Sequence, residues 1–251
     1  MASSAELCRQ LREANAETLA RLIEERSDEL DLPAARQVLR NPFVDAAAIE
    51  RLAASRRLIS SYEVRRGIAS HPRSPRTLAL RFVAGLYWTD LVRLGVDTGL
   101  HPIVRRAADR RIVERLAGLA VGERIAIGRS ASATVLTVVR HDAQPRVLAA
   151  VLENPRLTEG LLLPLAAAER AQPRCLALLA ANPRWGARPL IRSALCRNPS
   201  TPLADSLRLL PMLPKDQQAA VAADPRLASG LRRRARLLAG EGRPSGARRG
   251  D

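Results

Sequence analysis

The sequence predicts an all-α fold, a short α-solenoid of helix pairs that is internally duplicated. Three observations predict it: an aliphatic composition rich in Ala and Leu, a helix-stopping corner that recurs along the chain, and a long self-match at one offset.

The first observation sets the fold class. Of the 251 residues, 47% are apolar and only 2% are aromatic. Ala and Leu are among the best helix formers. Strands favour Val, Ile, Thr and aromatic residues. The chain is long enough to bury a sizeable core, as one large domain or two small ones.

The corner is Asn-Pro or a near relative. It occurs at Asn41-Pro42, His71-Pro72, Asn154-Pro155, Asn182-Pro183, Asn198-Pro199 and Asp224-Pro225. Proline pushes the residue before it out of the α region, which ends a helix there. Asn, Asp and His are the non-glycine types that best tolerate unusual φ values, so the corners are read as such helix ends. Two corners also carry a restart. Ser74 and Pro75 are read as N-cap and first helical residue, and Thr201 and Pro202 likewise. Corners of this kind without strand signals are what solenoids are built from.

Between corners the apolar residues recur with helical spacing, as in Ile49, Leu52 and Ala53, in Val147, Leu148, Val151 and Leu152, and in Leu203, Leu207 and Leu210. The pattern gives about sixteen short helices. The run Ala133 to Val139 has the composition of a strand but lies between helical patterns, and is read as helix.

The duplication carries most weight. At an offset of 127, segment 63–111 lies on 190–238 without a gap. Arg65 meets Arg192, Pro72 meets Pro199, Leu80 meets Leu207, and Arg105-Arg106 meet Arg232-Arg233. A shorter offset of 113 places Val38-Leu39 on Val151-Leu152 and Asn41-Pro42 on Asn154-Pro155. Two related halves follow, about 34–118 and 147–239, with about fourteen extra residues near 168–183 in the second.

Charge divides the chain further. The formal net charge is +16, and Lys215 is the only lysine. A GC-rich genome explains Arg over Lys, but not the excess of base over acid. Residues 1–31 hold eight acids against four bases and read as an acidic helical segment appended to a basic repeat domain, 32–239, on which it can dock. Residues 240–251 lack apolar content and read as a disordered basic tail.

Cys8, Cys175 and Cys196 are odd in number and widely spaced, which is neither a disulfide framework nor a metal pattern. Neither a secretory signal nor a stretch near the roughly 20 apolar residues of a membrane helix is visible, so a cytoplasmic location is expected, with no membrane partner.

The corners Ser70 to Pro75 and Arg197 to Pro202, with Glu153 to Leu157, resemble those of bacterial leucine-rich repeat variant proteins and their HEAT-like relatives. The resemblance covers most of 34–239. It implies a right-handed stack of paired helices with a concave inner surface, and it says little about activity. The sequence departs from the pattern in its irregular corner spacing, in 112–145, which lack the corner, and in having too few cysteines for the iron–sulfur cluster of some leucine-rich variants.

No catalytic constellation is read. The tract Gly122 to Ser130 has the wrong glycine spacing, and Arg for Lys, for a phosphate-binding loop. His71, His101 and His141 have no converging ligands, and His141-Asp142 has no accompanying nucleophile. Neither metal nor cofactor is expected. The candidate site is an arginine set, Arg65, Arg66, Arg105, Arg106, Arg192, Arg232 and Arg233, with Arg110, Arg111 and Arg234 nearby. Equivalent positions of stacked repeats fall on one side, so these residues form a stripe for phosphate or carboxylate groups. The expected function is a non-enzymatic scaffold that binds an acidic partner protein. The alternative is a nucleic-acid-binding module that contacts phosphates. An architectural resemblance to HEAT-like DNA alkylation-repair glycosylases points to Trp88 with Asp90 or Asp97 as an imitation of their cleft. Oligomeric state is left open.

Overall fold

Every periodic apolar segment became a helix. The computed structural model describes residues 4–240, which form two units meeting at Gly118 and Leu119, with no strand among the described residues. The tail read as disordered lies, apart from Gly240, outside the described residues.

Unit 1 contains α1 (Ser4–Glu13), α2 (Ala16–Glu25), α3 (Leu32–Arg40), α4 (Ala46–Ala54), α5 (Arg56–Ser60), α6 (Tyr62–Ala69), α7 (Arg76–Val83), α8 (Trp88–Val96) and α9 (Pro102–Arg115). Its core is aliphatic: Ala34, Ala35 and Val38 of α3 and Val64 and Ile68 of α6 are all but fully buried. Small side chains allow the short helices to approach closely. The acidic segment is packed into this unit. α1 lies on α3, and the buried Asn41 amide donates to the carbonyls of Leu11 and Ala14 at 2.8 and 2.9 Å. Three of its acids form ion pairs, Glu6 with Arg9 and Glu29 with Arg26 within the segment, and Glu24 with Arg51 of α4.

Unit 2 contains α10 (Val121–Ser130), α11 (Ala133–Val139), α12 (Pro145–Glu153), α13 (Glu159–Ala167), α14 (Pro173–Ala181), α15 (Pro189–Cys196), α16 (Leu203–Leu209), α17 (Lys215–Ala223) and α18 (Ser229–Ala239). The strand-like run is α11. The Ser132 hydroxyl accepts from the Val135 N–H, and Val135, Leu136 and Val139 are fully buried. Burial of that helical stripe outweighs the few tenths of a kcal/mol per residue by which β-branched residues disfavour a helix.

The duplication is wider than the sequence match. Shifting α3, α4, α6 and α8 by 127 gives the ends of α13, α14, α15 and α17 to the residue. Packing follows: α3 lies on α6 and α13 on α15, α7 on α9 and α16 on α18. The 113 offset also superposes helix ends, α3 on α12 and α4 on α13, because α12, α13 and α14 start at a constant 14-residue interval, as α3 and α4 do. In the 127 register α14 has α4 as its counterpart and nothing is inserted near 168–183. The 113 offset then relates neighbouring helix pairs.

Two readings of the corner are corrected. No non-glycine residue among those described has positive φ, and Asn41, Asn154 and Asn182 are extended at φ near −70°. Asn is there for its amide. Oδ1 of Asn41, Asn154 and Asn198 accepts the N–H two residues on. Nδ2 of Asn154 donates to the Gly128 and Ala131 carbonyls, and that of Asn198 to Ala166 and Ala168. One side chain thus closes the turn past the proline and ties it to an earlier helix end. His71 closes its turn in the same way, with Nδ1 accepting the Arg73 N–H. Burial, then the Arg73 charge, lowers the His71 pKa, which keeps that acceptor free of a proton. The second correction concerns the restarts. α7 and α16 begin one residue later than read, with Pro75 and Pro202 in the N-cap position, and the Ser74 and Thr201 hydroxyls make no capping bond.

Gly186 marks a close approach. A Cβ there would stand 2.5 Å from the Ala180 carbonyl oxygen and 2.9 Å from that of Asn182. Backbone cannot rotate away as a side chain can. Gly186→Ala is therefore expected to destabilise by about 1–3 kcal/mol, against the 0.4–1 kcal/mol that Gly→Ala gains through the unfolded chain where space allows. A thermal melt checks this, and an unchanged or raised Tm contradicts the packing described.

Candidate protein-interaction surface

A helix end leaves carbonyls without partners. In this chain arginines supply many of the donors. Arg57 donates to the Asp28 and Leu30 carbonyls, Arg73 to Pro42 and Val44, Arg115 to Ala84 and Leu86, Arg140 to Leu161, and Arg208 to Ala180. Positive charge satisfied by carbonyl dipoles needs no matching acid. This is the physical source of part of the excess of base.

The arginines singled out from the sequence separate accordingly. Arg65 folds back on the Ile59 and Ser60 carbonyls, and its counterpart Arg192 on Ala187 and Met212. Both hold the fold. Arg105 and Arg232, a second equivalent pair, are half-buried with Nε sequestered. Arg66, Arg106 and Arg233 are exposed. Arg66 lines a hollow of ≈ 370 Å³ against α3 and another of ≈ 260 Å³ against α8. Arg106 lines a hollow of ≈ 480 Å³ between α7 and α9 that shares no residue with the other two. Within unit 1, Arg66 and Arg106 therefore line separate hollows.

Carboxylates are interleaved with these arginines. Arg36 pairs with Glu63 in the first hollow. In the second, Asp90 is 7% exposed, accepts from Arg93 at 3.2 Å, and lies 3.9 Å from Arg66. Its other oxygen accepts from the Tyr62 hydroxyl at 2.5 Å, and the Tyr62 oxygen accepts the Tyr87 N–H. The two tyrosine rings stack at 4.4 Å. Burial, then the bond to Asp90, raises the Tyr62 pKa and keeps the phenol protonated as a donor. Both oxygens of Asp90 are thus held by hydrogen bonds within the protein.

The acid–aromatic cleft suggested by Trp88 is thus formed differently. Asp90 and Asp97 share the hollow, neither Trp88 nor Tyr62 is among its lining residues, and the Tyr62 hydroxyl donates to Asp90. The sequence pointed past Tyr62 because its bond to Asp90 spans 28 positions and two helices. At an offset of 127, Tyr62, Arg66, Tyr87, Asp90 and Arg93 become Pro189, Ser193, Pro214, Gln217 and Ala220. The fold closes in unit 2 without any of them, so the cluster is not a requirement of the repeat.

Other reactive groups are committed. The Cys196 thiol is pushed up to about 12 by burial, and burial also raises Cys175. His141 accepts from Arg140 while Asp142 pairs with Arg124, so the two neighbours form no dyad. Among the described residues no three His, Cys, Asp or Glu side chains converge as for a metal ion, and no helix is long and apolar enough to cross a membrane.

What the fold defines is an all-α protein of short helices joined by repeated asparagine corners. No family model matches the chain, nor does any curated protein or solved structure.

Proposed function

We propose that this chain is a non-enzymatic helical-repeat scaffold, a solenoid of the HEAT-like or leucine-rich-variant kind, that binds an acidic partner protein through its basic surface. The observation that supports this reading is the interleaving of exposed arginines with carboxylates and apolar residues in the same hollows. Each carboxylate set among the arginines repels a phosphate backbone and weakens a phosphate track. A protein surface carries both signs and apolar patches, and complements such hollows.

Duplex DNA, single-stranded DNA and RNA, each labelled and titrated across a salt series, test this. Weak binding that is gone by about 0.15 M salt is expected. Tight binding at that salt, with a steep salt slope and lost on replacing Arg105, Arg106, Arg232 and Arg233 together, overturns the reading in favour of nucleic acid.

A further inference from the structure

The geometry points to the hollow between α7 and α9 as a docking groove for one acidic amphipathic helix of a partner protein. The inference rests on the scaffold reading and narrows it to one surface and one kind of ligand.

The groove has an apolar floor and a basic rim. Leu80 and Val83 of α7 and Ile103 and Ala107 of α9 make the floor, with Ile103 39% exposed. Arg106, Arg110 and Arg111 line it from α9. Arg111 is held by Glu114 at 2.8 Å. Neither Arg106 nor Arg110 forms an ion pair with a described residue, whereas Arg36, Arg66 and Arg93 in the other two hollows of unit 1 each face a carboxylate. Of the three hollows this one presents two arginines without an ion pair to a described residue beside an exposed apolar side chain, Ile103, whereas the hollow against α3 has one such arginine, Arg40, and no exposed large apolar side chain.

Three physical arguments select the occupant. Phosphates could meet the rim but would leave the floor wet, so a ligand that is both acidic and apolar fits better. The structure offers no sheet edge among the described residues, so an extended peptide gains no backbone ladder. A helix laid between two helices satisfies its own backbone and needs only side-chain complementarity. Spacing then defines the ligand. Arg106 and Arg110 are four residues apart on one helix, about 6 Å along its axis. A partner helix with Asp or Glu one turn apart, flanking a Leu or Ile stripe, meets both. The rim belongs to unit 1, because Arg110 and Arg111 correspond to Leu237 and Leu238 at an offset of 127.

The test is fluorescence anisotropy with the full-length protein and three labelled designed peptides at about 0.15 M salt. One is an amphipathic helix with a Leu stripe and paired Glu, one its Glu-to-Lys counterpart, and one an acidic peptide with proline that cannot form a helix. The acidic helix should bind, and Arg106→Glu with Arg110→Glu should weaken it at least about tenfold and transfer binding to the Lys peptide. Ile103→Gln should weaken the acidic helix without changing charge. A circular dichroism melt confirms that these exposed substitutions leave the fold intact. Acidic-helix binding that ignores all three substitutions overturns the groove and leaves the scaffold reading standing. Tighter binding of the proline peptide overturns the helical occupant alone. Failure of every acidic peptide, together with tight DNA binding, overturns both readings.

Discussion

Asn154→Asp is expected to destabilise unit 2 by about 3–5 kcal/mol at neutral pH, although it changes one NH₂ group to oxygen. Asn154 is 0% exposed, and its Nδ2 lies 2.9 and 3.2 Å from the carbonyl oxygens of Gly128 and Ala131. Asp keeps Oδ1, which accepts the Arg156 N–H, so the turn past the proline is undisturbed. What changes is the donor, replaced by a buried negative charge facing two acceptors. The variant's carboxyl should therefore have a folded-state pKa above its unfolded value of about 3.9. The sign follows. Well above the folded pKa the penalty is present in full. As pH falls towards the unfolded pKa the native carboxyl binds its proton first, donates one hydrogen bond, and the penalty shrinks. Urea unfolding of variant and parent at about pH 7.5 and pH 4.5 measures both parts. Equal stability at the higher pH would mean that the asparagine is only a turn former.

Trp185→Ala should cost about 3–5 kcal/mol. The indole is 2% exposed, and its Nε1–H donates to the Leu152 carbonyl at 3.0 Å. That carbonyl belongs to the last turn of α12, where intrahelical donors run out. Trp185→Leu separates the contributions. It installs the residue found at the equivalent position of unit 1, where Leu58 is 1% exposed. Leu refills part of the volume but leaves the carbonyl unpaired, so the loss should fall between those of the parent and Ala, with about 1–3 kcal/mol of it from the missing donor. Denaturant unfolding followed by far-UV circular dichroism reads both variants. A loss below about 1 kcal/mol for Ala would contradict the packing assigned to this ring.

Several features were legible in the sequence because they depend on neighbours along the chain. Helical class follows from Ala and Leu at a 3.6-residue period, and it held even for Ala133 to Val139, where the residue types argued for strand. The corners follow from proline, whose ring acts on the residue before it. Trp185 aligns with Leu58 at the 127 offset, and both side chains are buried.

Tertiary structure decided everything that depends on partners distant in sequence. The role of the corner asparagines lies in an amide that reaches carbonyls 23 to 32 positions away, and no local rule reports it. Whether an arginine holds the fold or faces solvent was equally illegible. Arg65 and Arg66 are adjacent, yet one is spent on two carbonyls and the other lines two hollows. A helix turns each successive side chain by about 100°, and only packing selects which direction meets a neighbour and which meets water. Sequence by itself thus determined the helices, the corners and the repeat. The fold decided which of its many charges remain available to a partner, because a guanidinium is claimed by whichever acceptor the packed chain brings within reach.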